Sequence, residues 1–145
     1  MMKYQQGTMG RVFLARAEHG EDPLEEMKKI SKKENIRVAV FFLLGALKGG
    51  SVVTGPKEPV LPPVPNWFQF DDGREVLGLG TLLYDQDEPA LHLHGGLGRE
   101  QDAVICCLRD QVEVYITVEV VILELSGIDA LREFDPASGQ KIIGI

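Results

Sequence analysis

Two histidines and two cysteines are the residues of this sequence whose types and spacing best suit metal chemistry. His92 and His94 are separated by one residue in the stretch LHLHGGLG, residues 91–98. Cys106 and Cys107 are adjacent and follow after a connection that contains glycine. Imidazole nitrogen and thiolate sulfur are the ligands that zinc takes most often in proteins. The four residues therefore raise the question of a zinc site.

The spacing of the two histidines suits a shared cation. Side chains alternate along a β-strand, so His92 and His94 would project from one face while Leu91 and Leu93 project from the other. Two imidazoles at that spacing can reach one ion with Zn–N bonds of about 2.0 Å. The alternative is a strand whose polar face carries two solvated or hydrogen-bonded imidazoles. The H-x-H pair alone does not decide between these two interpretations.

A neighbouring antiparallel strand would bring one of the cysteines to this pair. Because Cys106 and Cys107 are adjacent, they point to opposite faces and only one of them can meet the histidines. Two imidazoles and one thiolate leave a fourth position for water or substrate, the pattern of catalytic rather than closed structural zinc. The local sequence does not fix the register between the strands, so the choice of cysteine stays open at this point.

Composition and charge limit the functions that this chain can have. Its 145 residues are 44% hydrophobic and 26% charged, as expected of one globular domain, residues 1–145. Fifteen basic and twenty-two acidic residues give a net charge of −7, which argues against gripping nucleic acid through the general field of the protein. The longest apolar run, residues 38–47, is too short to cross a bilayer. We expect a cytoplasmic protein with reduced thiols and no membrane partner.

The N-terminal half predicts two strands and a helix. Residues 11–17 alternate as a first strand, and a helix begins at the cap Asp22 and ends near Asn35. The continuous apolar run 38–47 predicts a strand that is covered on both faces. Residues 48–73 contain five of the eight prolines, which favours a long extended connection.

The C-terminal half predicts several more strands. They are expected over residues 75–84, 90–94, 103–108 and 112–125, joined by short turns. One main helix packed against many strands indicates an α+β fold with a mostly antiparallel sheet. Arg109 and Arg132 are expected to be structural ion-pair partners rather than anion binders.

Several segments, taken in order, resemble the PPC domain, which is shared by plants and prokaryotes. They are GEDPLEEM, VAVFFLLGALKGG, EVLGLGTL, LHLHGGLGRE, CLR, EVVILEL and REFDPASG, and the resemblance covers residues 9–143. It implies the α+β fold shared by PPC domains and acetolactate decarboxylases, a homotrimer, and the predicted DNA-binding role of stand-alone prokaryotic members. Plant members contact DNA through an AT-hook of the Arg-Gly-Arg-Pro type. This sequence contains no such segment.

The resemblance also implies the ligands of a metal site. Prokaryotic members commonly show His-x-His followed by Gly-His or Gly-Cys on the next strand, with a metal between them. His92 and His94 match the first part, Cys107 matches the third ligand, and Cys106 stands where glycine is usual. Zinc is the expected ion, with another divalent transition metal as the alternative.

Two functions follow as hypotheses. The first is a trimeric regulatory or DNA-binding module whose metal is structural or sensory. The second is a metal-dependent enzyme, decarboxylase-like or hydrolase-like, whose open coordination position takes water or a small carbonyl ligand. The PPC domain also resembles, in overall fold, the zinc-dependent acetolactate decarboxylases, which use a histidine-bound metal; this analogy of fold does not carry function across. The sequence names no catalytic residue beyond the metal ligands.

Overall fold

Strands make up most of this protein. The computed structural model describes the backbone of residues 1–145 and every side chain except that of Asp110. Strands take 65% of the chain and helix 8%. In chain order the elements are β1 (Thr8–Glu18), α1 (Pro23–Glu34), β2 (Ala39–Pro56), β3 (Pro65–Phe70), β4 (Arg74–Asp85), β5 (Glu88–Arg99), β6 (Asp102–Ser126), β7 (Leu131–Asp135) and β8 (Gln140–Gly144).

The strands form one mixed sheet of eight strands. Its order is β3-β2-β6-β5-β4-β7-β8, and β1 pairs with the C-terminal part of β6. All pairings are antiparallel except that between β4 and β7, which is parallel. Because β2 pairs with both β6 and β4, the strands β2, β6, β5 and β4 close into a ring.

The expected α+β fold is therefore wrong, because the protein is mostly β. Inward side chains of the ring, such as Phe41, Leu43, Leu93 and Ile122, fill the core and are almost fully buried. The helix α1 adds Leu24 and Met27 to this core against β5 and β6 but forms no layer of its own. A closed ring of strands buries one face against itself, so it needs no covering layer of helices. No helix in the described part of the chain is long and apolar enough to cross a membrane.

The helix boundaries predicted from the sequence are confirmed. The carboxylate of Asp22 accepts hydrogen bonds from the backbone N–H groups of Leu24 and Glu25. At the other end, Asn35 adopts the left-handed conformation with φ 53° and closes the last turn. These caps depend on neighbouring residues alone, which is why the sequence identifies them.

Three strands, β2, β5 and β6, extend at least five residues beyond their predicted ends. The strand β2 continues to Pro56 and pairs with β3. The predicted long connection over residues 48–73 is therefore reduced to residues 57–64 between these two strands. The glycines after His94 lie within β5, and the two strands predicted over 103–108 and 112–125 are one strand, β6. Gln111 and Ile116 adopt positive φ inside β6, where the register with β2 shifts.

The prediction that residues 38–47 are covered on both faces is wrong for the single chain. Phe42 is 43% exposed and Leu44 is 49% exposed, whereas Phe41 and Leu43, which alternate with them along the strand, are buried. The run is continuous in hydrophobicity because both faces are apolar, not because both are covered within one chain.

Candidate metal centre

Strand β5 positions both histidines, and its two neighbours supply the residues that face them. In the antiparallel pairing with β6, His94 lies opposite Cys107. In the pairing with β4 on the other side, His92 lies opposite Thr81. Leu93, between the histidines, points into the core and is 1% exposed. The alternation of this strand thus anchors the two imidazoles on the outer face.

The three predicted ligands lie together. The Nε2 atoms of His92 and His94 are 3.1 Å apart, and the two rings meet edge to face at 83°. The ligand atoms of His92, His94 and Cys107 all lie within 4.8 Å of one another. Ligands of one tetrahedral zinc lie about 3.3–3.6 Å apart, so small side-chain rotations suffice to bring the three onto one ion. Their binding of a metal stays a prediction.

Cys106 points away from this cluster into the core. Its Sγ is 3.6 Å from the backbone carbonyl oxygen of Gly95, to which the thiol donates. Burial, and then the neighbouring Cys107, raise the pKa of the Cys106 thiol to about 11. A thiol with that pKa stays protonated at neutral pH and is a poor metal ligand. The geometry therefore leaves Cys107 as the cysteine that faces the histidines.

The surroundings of His92 favour its neutral form. Burial of the ring is the largest cause that lowers the pKa of His92, followed by electrostatic repulsion of the protonated ring by Arg132, His94 and Arg109. A neutral imidazole carries the free lone pair that a metal needs. The environment thus keeps the ring in its metal-binding form.

Arg132 lies beside the cluster without a described acidic partner. It is 9% exposed, and its Nη2 donates to the Thr81 hydroxyl at 2.7 Å. Among the described side chains, no carboxylate forms an ion pair with Arg132 or with the exposed Arg109. Burial lowers the pKa of the Arg132 guanidinium. Among the described side chains, neither arginine has the ion-pair partner that the sequence analysis expects.

The model of the Plants and Prokaryotes Conserved (PCC) domain matches residues 4–126. The chain belongs to this family. It is the domain that the sequence resembles under the name PPC, so the family assignment made from the ordered segments is confirmed. No curated protein is similar enough to this PCC-domain chain in sequence to count as a match.

Solved structures share the fold over nearly the whole chain. A metal-containing protein from Archaeoglobus fulgidus has 22% identity and a TM-score of 0.85, covering 97% of this chain and 98% of that one. A PPC protein from Pyrococcus horikoshii has 22% identity and a TM-score of 0.81, covering 99% and 100%. A candidate DNA-binding protein from Ralstonia eutropha has 16% identity and a TM-score of 0.77, covering 91% and 90%. At these identities the likeness shows the fold of the PCC domain.

Two open cavities of the PCC domain meet at the cluster. The first, of about 440 Å³, is bordered by His94 and Cys107, and the second, of about 910 Å³, by His92 and Cys107. The first is otherwise mainly apolar; its further lining residues are Val53, Thr54, Gly55, Pro56, Pro63, Pro65, Ile105, Cys106, Arg109 and Gln140. The second contains Arg132 and Arg109 in its wall. A small molecule can thus approach the three ligands from two sides.

The position of Arg132 beside His92 was not predicted from the sequence. Arg132 lies on β7, which joins the sheet through a single parallel pairing of Leu131 with Tyr84. That pairing carries Arg132 to Thr81 and so to His92. An isolated arginine near the C-terminus gives no signal of such a contact, because only the topology of the sheet creates it.

Proposed function

We propose that this PCC domain binds a zinc-type ion through His92, His94 and Cys107 and keeps one coordination position for a small ligand. The observation that carries the proposal is the convergence of the three ligand atoms within 4.8 Å. Two imidazoles and one thiolate suit zinc or a related divalent transition metal better than magnesium or calcium, which prefer oxygen. The A. fulgidus protein of the same fold, described as metal-containing, supports it.

The roles of the surrounding residues follow from their positions. Strands β5 and β6 hold His94 and Cys107 in register, so the site is rigid on the side where the two strands pair. The surroundings of His92 lower its pKa, so a proton competes less with a metal for its ring nitrogen. A bound ion of this kind acts as a Lewis acid toward oxygen ligands.

A metal-dependent enzyme is the second candidate function. The cavity beside His92 and Cys107 favours it, because a volume of about 910 Å³ admits a small molecule to the open side of the cluster. A purely structural zinc has four protein ligands, whereas the described residues supply three here. Such an enzyme would catalyse a decarboxylase-like or hydrolase-like reaction.

DNA binding has weaker support. The R. eutropha protein and one from Bacteroides thetaiotaomicron are both described as candidate DNA-binding proteins. The net charge of −7 opposes affinity for the phosphate backbone. We expect no binding to duplex DNA at physiological salt. Duplex binding whose affinity falls steeply with salt would establish DNA contact instead.

Assembly into a homotrimer is part of the proposal. An apolar face on the outside of the ring supports association; its residues are Leu14, Phe42, Leu44, Leu77 and Leu79, each at least 43% exposed. Within it, Phe42 lies opposite Leu79 and Leu44 lies opposite Leu77 in the pairing of β2 with β4. Contiguous exposed apolar surface of this kind marks contacts with another protein chain.

Elemental analysis of protein purified without a histidine tag tests the metal centre. We expect about one zinc per chain, as for any three-residue mononuclear site. The double variant His92→Ala, His94→Ala should be free of metal. His19→Ala is the matched control, since His19 accepts a hydrogen bond from the backbone N–H of Ile116 outside the cluster, and it should keep zinc. Full metal occupancy in the double variant would overturn the proposal.

A further inference from the structure

Arg132 is a buried cation whose described contacts leave most of its donors unused. Its one described side-chain hydrogen bond goes to the hydroxyl of Thr81, at 2.7 Å from Nη2. A guanidinium has five N–H donors, and a buried charge is costly unless another charge compensates it. No carboxylate among the described side chains supplies that charge. Arg132 also lines the larger cavity, so a ligand in that cavity can reach it.

The charged residues in the wall of that cavity are all cations. They are Lys28, Arg109, Arg132 and Lys141, in a protein whose net charge is −7. The two lysines have carboxylate partners outside the cavity wall, Glu25 and Asp85. Of the two arginines, Arg132 is buried and Arg109 is exposed. The wall of this cavity is therefore positively charged, although the protein as a whole is negatively charged.

We propose that this cavity binds a small oxyanion, a carboxylate or a phosphate group, whose oxygens pair with the guanidinium of Arg132. A planar guanidinium matches two oxygens of either group with two parallel hydrogen bonds. Arg109 adds a second positive charge in the wall of the same cavity. A volume of about 910 Å³ is within the range of small-molecule sites and too small for a folded partner.

The bound anion also lies beside the candidate metal centre. His92 and Cys107 line the same cavity as Arg132, so another oxygen of the ligand faces the open side of the cluster. This second contact rests on the proposed metal function, whereas pairing with Arg132 does not. A small acid fits both Arg132 and the metal cluster if its acidic group pairs with Arg132 and a further oxygen, next to that group, faces the cluster.

The missing carboxylate partner gives Arg132 variants a recognisable signature. No fully buried nitrogen or oxygen of a described side chain lacks a hydrogen-bond partner, so the unpaired donors of Arg132 reach the cavity. Arg132→Gln breaks no described ion pair, so it should fold with a thermal midpoint close to that of the wild type when no anion is added. Arg132→Lys keeps the charge but loses the planar pair of donors, so it should bind anions more weakly than the wild type.

Thermal unfolding and calorimetric titration of the full chain test the site. The probes are inorganic phosphate and malonate, each added at constant ionic strength. We expect both probes to raise the midpoint of the wild type, and the affinity to fall at least roughly tenfold in Arg132→Gln, the loss of one charge-assisted hydrogen-bond pair. Arg16→Gln removes an exposed cation paired with Glu18 and should respond like the wild type. An unchanged response in Arg132→Gln, or no response in the wild type, would overturn the inference.

The metal content of the same samples separates the two proposals. Arg132→Gln should keep its zinc, because Arg132 contributes no ligand atom. Zinc in the wild type without any Arg132-dependent binding overturns the anion site alone. Binding that depends on Arg132 in a wild-type protein without zinc overturns the metal centre alone. A response to duplex DNA but to neither small anion counts against the inference as well.

Discussion

His94 and Cys107 are directly opposed in the pairing of β5 with β6, and the adjacent pair, Gly95 and Cys106, faces the core. The pair at the site and the pair at the core are thus neighbours along the same two strands. Because successive side chains of a strand point to opposite faces, the two neighbouring cysteines have different chemical environments. Cys107 faces two imidazoles, and Cys106 faces a backbone carbonyl.

Substitution of the two cysteines should therefore have different effects on the metal. Cys107→Ser replaces the thiolate ligand by a hydroxyl, and we expect zinc affinity to fall at least roughly tenfold. Cys106→Ser should keep zinc, with a loss of stability of about 1 kcal/mol for burying a hydroxyl in place of a thiol. Competition with a chromophoric chelator measures the affinity. Loss of zinc in Cys106→Ser with full retention in Cys107→Ser would reverse the assignment.

The position of the histidines also depends on a glycine in β4. A Cβ atom added to Gly80 would lie 2.3 Å from the Phe41 ring and 2.7 Å from the carbonyl oxygen of His92. Gly80→Ala forces these apart, so we expect it to destabilise the fold by about 1–3 kcal/mol, a typical cost of overpacking, and to weaken metal binding. Chemical unfolding and the chelator assay measure the two effects.

Gly96→Ala is the matched control for Gly80→Ala. A Cβ at Gly96 would meet only the tip of the Ile105 side chain, at 3.6 Å, which is an ordinary contact. We expect Gly96→Ala to keep both the stability and the zinc affinity of the wild type. Equal losses in both alanine variants would mean that glycine flexibility, rather than space beside His92, is what the site requires.

The sequence predicts the local features of this protein better than the global ones. The spacing of His92 and His94 on a strand and the caps Asp22 and Asn35 follow from short-range geometry, and the structure has them where they were predicted. The family resemblance identified Cys107, and the β5–β6 register, which brings Cys107 opposite His94, is a long-range property.

Other features depend on contacts that no short stretch records. The sequence predicts a turn at the glycines after His94, but these glycines lie within β5. Glycine is needed there because the neighbouring backbone is close: at Gly95, an added Cβ would be 3.0 Å from the Leu77 carbonyl oxygen. The closed ring arises because β2 pairs on both sides, which hydrophobic patterning does not encode. The burial of Arg132 likewise follows from where β7 joins the sheet.

An ion pair between β1 and β6 gives the protein a defined pH dependence. Arg11 donates from Nε and Nη2 to the two carboxylate oxygens of Glu124, at 2.7 Å and 2.9 Å. These hydrogen bonds are the main cause that lowers the pKa of Glu124. A carboxyl whose pKa is lower in the folded state adds stability above its unfolded pKa, and this stability is lost as the pH falls through the folded pKa.

We therefore expect Arg11→Gln to lower the thermal midpoint by a few degrees at pH 7 and to have progressively less effect below about pH 4, the ordinary range of a glutamate pKa. Midpoints measured from pH 7 down to acid give this difference directly. In a Glu124→Gln background the effect of the same change should vary much less with pH, because only the longer Arg11–Glu34 ion pair, at 3.9 Å, is then left to titrate. A constant difference in the presence of Glu124 would show that the pair does not act through its charge.

The apolar face provides the test of assembly. Leu77 belongs to this face, is 69% exposed and lies opposite Leu44, and it lines neither of the two cavities at the metal cluster. A glutamate at this position would place a desolvated charge in the proposed interface, which is strongly unfavourable. We expect light scattering to give the wild type a mass of three times 16.0 kDa and Leu77→Glu a mass near that of one chain.

Val60→Glu is the control, because Val60 is an exposed apolar residue outside the face, and this variant should stay trimeric. The face is not an interface if Leu77→Glu keeps the mass of the wild type, and a wild-type mass of 16.0 kDa would exclude the trimer itself.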